Sequence, residues 1–171
     1  MFRIAVCILV SLVSVAAEAK TRACNVNGYS IDKDPNGLNV RSGPGGGHAV
    51  ITSLRRAENG WPHLHITGAS GNWLRIDTAI EGMDPDGNAL FRGVGWVHNS
   101  LVATASKGYE TGSIPLHARP DPASAASGRV PREEDIRILS CSGQWIYGGF
   151  RNRRGWVAPN DHCPTPETTC N

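Results

Sequence analysis

Apolar and polar residues alternate along several short segments of the chain. The alternation is clearest at residues 63–67 and 73–77, and it recurs in part at residues 136–139. A period of two residues is typical of β-strands that bury one face and leave the other in solvent. Beyond the N-terminal segment no convincing helical period occurs, and the best candidate, residues 131–135, is one turn at most. The pattern therefore predicts an all-β protein.

Three short motifs occur twice in the same order, at intervals that shrink in the second copy. Residues 38–41, 71–74 and 95–97 (Leu-Asn-Val-Arg, Gly-Asn-Trp-Leu and Gly-Trp-Val) are echoed by 116–119, 143–146 and 155–157. The first copy is longer than the second, and many of its additional residues lie in the turn-rich stretch at 81–88. The 20 Gly and 11 Pro of the chain suit short strands joined by many turns. The sequence thus predicts two related β-units.

The repeated motifs resemble those of the bacterial SH3 domain family, SH3b. The first copy carries Leu-Asn-Val-Arg-Ser-Gly-Pro at 38–44 and the closing Gly-Trp-Val at 95–97, whereas the second copy departs from the opening motif. The resemblance implies two small SH3-like β-barrels in tandem, the first with a long hairpin insertion. The expected boundaries are a first domain at 24–104, a linker at 105–112, a divergent second domain at 113–163 and a C-terminal tail at 164–171.

The resemblance also implies recognition without catalysis, of cell-wall peptidoglycan or of a peptide segment in the bacterial envelope. The residues expected near a ligand groove are Arg41, Trp61, Trp96, Tyr147 and Trp156. As an alternative, Trp96 and Trp156 pack against the barrels, and Arg41 and Arg119 are expected to brace loops. An alternative is a structural or inhibitory factor that docks onto a periplasmic partner protein through the hairpin at 81–92.

The N-terminal segment has the three regions of a secretory signal peptide: Arg3 near the start, an apolar run, and Ala17-Glu18-Ala19. We expect residues 1–19 to be removed, leaving a periplasmic or secreted protein that is not inserted in the membrane. The apolar run is too short to span a hydrocarbon core.

Export predicts disulfides, because four cysteines follow the signal segment. These are Cys24, Cys141, Cys163 and Cys170. Four cysteines allow three pairings, and sequence does not choose among them. We favour Cys141 with Cys163, within the second unit, and Cys24 with Cys170, joining the chain ends.

The net charge and the lack of catalytic or metal-binding motifs argue against several classes of function. A net charge of +2 is far from that of a dedicated nucleic-acid binder. No nucleophile elbow or metal-ligand spacing occurs, so we expect no enzyme activity, metal or cofactor. Both His63 and His65 are expected to be exposed on a strand. The basic residues Arg151, Arg153 and Arg154 indicate a solvated hairpin turn, with contact to an anionic wall polymer or phospholipid as the alternative.

Overall fold

The protein folds as an antiparallel β-structure, as the alternating pattern predicts. The structure, a computed structural model, describes residues 20–56, 60–82, 88–107 and 112–165. The strands are β1 (Arg22–Ser30), β2 (Leu38–Arg41), β3 (Val50–Leu54), β4 (Pro62–Ser70), β5 (Trp73–Glu81), β6 (Ala89–His98), β7 (Val102–Ser106), β8 (Ser113–His117), β9 (Ala126–Pro131), β10 (Asp135–Ser142), β11 (Trp145–Phe150), β12 (Arg153–Val157) and β13 (His162–Cys163). A short 3₁₀ helix, Asn99–Leu101, precedes β7. In these four ranges, no helix is long and apolar enough to cross a membrane.

All the strands belong to one hydrogen-bonded network. Neighbours follow the order β3–β2–β6–β5–β4–β1–β7–β10–β11–β12–β8–β9, and β13 also pairs with β7. The buried side chains of the two sequence repeats form a common core. It includes Val40, Leu64 and Ile76 from the first repeat and Leu116, Ile136 and Ile146 from the second. The repeats therefore share both their sheet and their hydrophobic interior.

The second half of the chain repeats the strand pairing of the first, and β7 takes part in both halves. Tyr29 of β1 lies opposite His63 and Ala103. Likewise, Ala105 of β7 lies opposite Asp135 and Cys163. Strand β7 is thus the last strand of the first half, in the position that β13 has in the second half. It is also the first strand of the second half, in the position that β1 has in the first half.

This shared strand corrects part of the predicted linker. Residues 105 and 106, assigned to the linker at 105–112, are the last two residues of β7 and are buried. Every residue of β7 is buried, so the strand lacks the alternation that marks a half-exposed strand. Its small residues consequently resembled a linker. Residues 108–111 of the predicted linker lie outside the described residues.

The structure also shifts the predicted alignment of the opening motifs. Arg41 lies opposite Trp96, and the residue opposite Trp156 is His117. The loops that follow match as well, since Ser42 N–H donates to the Ala49 carbonyl and Ala118 N–H to the Ala125 carbonyl, both at 2.9 Å. The four residues 114–117, rather than 116–119, therefore correspond to 38–41.

The other two repeated motifs occupy matching positions. Gly71 and Gly143 open two-residue hairpins with φ of +54° and +56°, a region that favours glycine. Gly95 and Gly155 lie where strands approach closely. A Cβ atom on Gly95 would lie 2.2 Å from Val40 Cγ1, and one on Gly155 would lie 2.7 Å from Leu116 Cβ.

A disulfide joins the two halves. Cys24 of β1 is bonded to Cys141 of β10, with a Cα–Cα distance of 5.6 Å. Beside it, Asn25 N–H donates to the Gly143 carbonyl and Gly143 N–H donates to the Ala23 carbonyl, at 2.8 and 3.0 Å. The predicted pairings of Cys24 with Cys170 and Cys141 with Cys163 were wrong, because the shared β7 brings β1 against β10. Cys163 is also disulfide-bonded, and Cys170 lies outside the described residues.

We expect the double substitution Cys24→Ser/Cys141→Ser to lower the free energy of unfolding by about 2–5 kcal/mol, because the bond spans 117 residues of chain. Urea denaturation followed by tryptophan fluorescence measures the change. An unchanged midpoint and slope would contradict this role for the disulfide.

We expect Gly155→Ala to destabilise the protein by about 1–3 kcal/mol, because the new methyl group must displace strand β8. Gly46→Ala is the matched control, since no atom lies within 4 Å of a Cβ at that position. Equal thermal midpoints for the two variants would contradict the close approach of β8 and β12.

Candidate functional site

Four ring-bearing side chains lie together on one side of β8, β12 and β11. We call them the aromatic face: His117, Trp145, Tyr147 and Trp156. Trp156 lies opposite Tyr147 on one side and His117 on the other, and directly opposed residues share a face of the sheet. The Tyr147 and Trp156 ring centroids are 5.3 Å apart, and those of His117 and Trp145 are 5.6 Å apart and nearly perpendicular.

The aromatic face is partly accessible to solvent. Trp145, Tyr147 and Trp156 are each half-buried. The His117 ring is buried, with Nδ1 3.1 Å from the Ser124 carbonyl oxygen. The three neighbouring rings therefore present part of their surface to solvent.

An arginine from the first strand extends this face. The guanidinium carbon of Arg22 lies 5.9 Å from the Trp156 ring centroid, within cation–π range. The sequence patterns did not mark Arg22, Trp145 or His117 as site residues. Trp145 could have been found, because it lies two positions from Tyr147 on a strand and so shares its face. Arg22 gave no such signal, because its approach depends on the pairing of distant strands.

The first half has a different arrangement at the corresponding place. Trp96 is only 7% exposed, so its main role is packing. It lies opposite both Arg41 and Arg75, where Trp156 has His117 and Tyr147. The Arg41 guanidinium donates to the His48 carbonyl at 2.8 Å, so Arg41 braces its loop.

The loop brace of the second half is His117 and not Arg119. Arg119 is exposed. The His117 ring contacts the Ser124 carbonyl, which corresponds to the His48 carbonyl that Arg41 contacts in the first half. The expected brace at Arg119 was placed two residues too late, because the sequence motifs were aligned on Leu116.

The remaining predicted site residue, Trp61, has other neighbours. The guanidinium carbon of Arg56 lies 3.8 Å from the Trp61 ring centroid, and the ring packs against a small buried cluster containing Tyr29 and Cys163. The Tyr29 hydroxyl donates to the Asp135 carboxylate, and burial raises the pKa of Tyr29. The five predicted residues thus fall into three places: Arg41 with Trp96, Tyr147 with Trp156, and Trp61 with Arg56.

A cavity of about 180 Å³ lies where β1 meets the β10–β11 turn. Its lining residues are Asn25, Val26, Asn27, Gln144, Pro159, His162 and Pro164. Burial lowers the pKa of His162 to about 4, partly opposed by a hydrogen bond with the Gln144 backbone, so the ring is neutral at pH 7. Amide side chains and a neutral imidazole provide both donors and acceptors without charge, which suits an amide-bearing ligand.

His63 and His65 of β4 do not belong to a metal-ligating cluster among the described residues. Both ring nitrogens of His65 have partners, with Nδ1 2.8 Å from Asp77 Oδ1 and Nε2 3.0 Å from Asn25 Oδ1. Within residues 20–56, 60–82, 88–107 and 112–165, no group of three or more His, Cys, Asp or Glu side chains could hold a metal ion. Both His63 and His65 are half-buried rather than exposed.

Comparison with known proteins gives little further information. No family model and no curated protein matches the chain. Among solved structures, it is similar to NlpC2 from Trichomonas vaginalis, with 12% sequence identity and a TM-score of 0.31. The match covers 87% of this chain and 49% of that chain, so this chain spans about half the length of NlpC2. A likeness at this TM-score supports no conclusion about fold or activity.

We expect the stability of the protein to fall as the pH is lowered from 6.5 toward 4. In that interval the unfolded chain protonates His162 and the folded protein does not, so protonation favours unfolding. The variant His162→Gln should therefore lose less stability between pH 7 and pH 4.5 than the wild type, as measured by urea denaturation. His48→Gln, at an exposed position, is the control. Parallel pH profiles for wild type and His162→Gln would contradict the assignment.

Proposed function

We propose that the protein is a non-catalytic binding module of the bacterial envelope. In this proposal its two halves are SH3b-like barrels, and the ligand is peptidoglycan or a peptide segment. The observation that carries the proposal is the half-buried aromatic face of the second half, with Arg22 beside it.

The chemistry of the aromatic face supports this ligand class. Trp, Tyr and Arg side chains on a rigid surface are the residue types that most often dominate binding energy. Trp156 and Tyr147 offer flat apolar surfaces on which the carbon-bound hydrogens of a sugar ring could pack. Arg22 offers a cation for a carboxylate of a peptide stem.

The neighbouring cavity supports peptide recognition. Gln144 lines the cavity and directly precedes Trp145 of the aromatic face. Asn25 and Asn27 add amide groups from β1. A ligand with a sugar and a short peptide could therefore contact rings and amides at once, which is the combination that peptidoglycan presents.

The proposed compartment rests on cysteine chemistry. The Cys24–Cys141 disulfide supports an oxidising environment such as the periplasm or the exterior. The predicted signal segment, residues 1–19, lies outside the described residues, and its removal remains part of the proposal.

A docking factor for a periplasmic partner protein is the second candidate. It is favoured by exposed apolar side chains on β3 and β6: Val50, Ile51 and Val94 are 45%, 49% and 66% exposed. Strand β3 stands at one end of the strand order, where a partner strand could add to the sheet. The hairpin tip at 83–87 lies outside the described residues.

We expect the mature protein to sediment with purified peptidoglycan sacculi at both low and high salt. Trp156→Ala and Tyr147→Ala should each weaken the binding by about tenfold, as loss of an aromatic anchor does. The matched control is Trp73→Ala, which removes a half-buried ring at the place corresponding to Trp145 in the first half.

Circular dichroism establishes that each variant is folded. Binding that persists unchanged in Trp156→Ala and Tyr147→Ala would contradict the role of the aromatic face. Wild-type protein that remains in the supernatant would contradict wall binding and favour the docking factor.

A further inference from the structure

A second cavity lies at the far end of β11 and β12, around the turn that joins them. Its volume is about 220 Å³, and it is lined by Arg129, Pro131, Phe150, Arg151, Asn152 and Arg153. Three of these six residues are arginines. Arg153 lines the cavity and Arg154 does not, because neighbouring residues of a strand point to opposite faces. We call this site the arginine cavity.

Arg129 and Arg153 are held in place by hydrogen bonds to neutral groups. Arg129 Nε and Nη2 donate to the hydroxyl and the carbonyl of Ser113, each at 2.7 Å. Arg153 Nη1 donates to the Arg129 carbonyl at 3.5 Å. The acceptors in these contacts are neutral.

Arg151 has an unusual backbone for its residue type. Its φ is +52° in a two-residue hairpin turn, where Gly, Asn or Asp is usual. Its guanidinium carbon lies 4.9 Å from the Phe150 ring centroid, and Nη2 lies 3.7 Å from a carboxylate oxygen of Glu134. Because a positive φ is unfavourable for arginine, the surrounding fold must stabilise this backbone conformation of Arg151. Arg151 is the third arginine that lines the cavity.

Three arginines line one small cavity, and their positive charge favours an anion there. The planar guanidinium group of arginine can donate two parallel hydrogen bonds to the oxygens of a phosphate group, which the ammonium group of lysine cannot do. Phe150 and Pro131 add an apolar wall that could contact the remainder of an ester. We propose that the arginine cavity binds the phosphate group of a phosphate ester through Arg129, Arg151 and Arg153. This site is separate from the proposed peptidoglycan surface.

Two sources could present such a group: a small soluble ester or a phospholipid headgroup. The first arm of the test titrates the full mature protein with sn-glycerol 3-phosphate by isothermal calorimetry at low salt. The second arm measures sedimentation with vesicles of phosphatidylglycerol and phosphatidylcholine, against vesicles of phosphatidylcholine alone. Binding in the first arm identifies a soluble ester as sufficient, and binding only to the anionic vesicles identifies a lipid headgroup.

Variants then test the site itself. Arg153→Gln and Arg151→Asn should each weaken binding by about fivefold, as expected for one partly exposed ion pair. Asn tolerates a positive φ, so Arg151→Asn keeps the turn while removing the charge. Glu134→Gln should strengthen binding, because it removes the carboxylate that competes for Arg151.

The controls separate a site from a general effect of charge. Arg92→Gln removes an exposed arginine from β6 in the first half and should leave binding unchanged. Trp156→Ala should also leave phosphate binding unchanged, so that failure of this site and failure of the aromatic face can be distinguished. The proposal is overturned if neither probe binds, or if Arg92→Gln weakens binding as much as Arg153→Gln does.

Discussion

The structure depends on β7, a strand hydrogen-bonded to both halves of the protein. It pairs with β1, β10 and β13, and every one of its residues is buried. Small residues are needed in this crowded place: a Cβ atom on Gly28 of β1 would lie only 2.7 Å from the Ala103 carbonyl oxygen. A side-chain hydroxyl of β7 also forms a hydrogen bond with a neighbouring strand: Thr104 Oγ1 donates to the Cys163 carbonyl of β13 at 2.7 Å. Because β7 joins the halves, β1 reaches the second half, where Cys24 forms its disulfide and Arg22 lies over Trp156.

The two halves share a strand pattern but differ in surface chemistry. In the first, a buried Trp96 lies between Arg41 and Arg75, whose guanidinium groups are used in loop and strand hydrogen bonds. In the second, a half-exposed Trp156 lies between His117 and Tyr147. Arg41 and Arg75 thus stabilise the structure of the first half, whereas Trp156 and Arg153 of β12 belong to two different proposed sites of the second half. The rings of one proposed site and the arginines of the other therefore belong to the half that departs further from the expected opening motif, while Arg22 comes from β1.

Local features of the fold could be predicted from sequence, whereas features made by distant strands could not. Alternation identified β4 and β5, and the repeated motifs predicted two related β-units. Strand β7 was assigned in part to a linker because complete burial removes alternation. The disulfide depended on the position of β1 against β10, which no local pattern records. For the candidate site, Tyr147 and Trp156 could be identified by residue type, but Arg22 is brought there only by the tertiary fold.

The shared strand imposes an order on assembly. In the order of the chain, every strand that pairs within the first half is present once β7 is present, whereas β10 and β13 come later. One side of β7 then remains an open strand edge until β10 and β13 follow, and such an edge can pair with the wrong chain. The partner of Cys24 also comes late in the chain, because Cys141 lies on β10. The halves thus share a strand pattern but depend on each other unequally: the free side of β7 is covered by strands of the second half, and the second half takes its first strand from the end of the first.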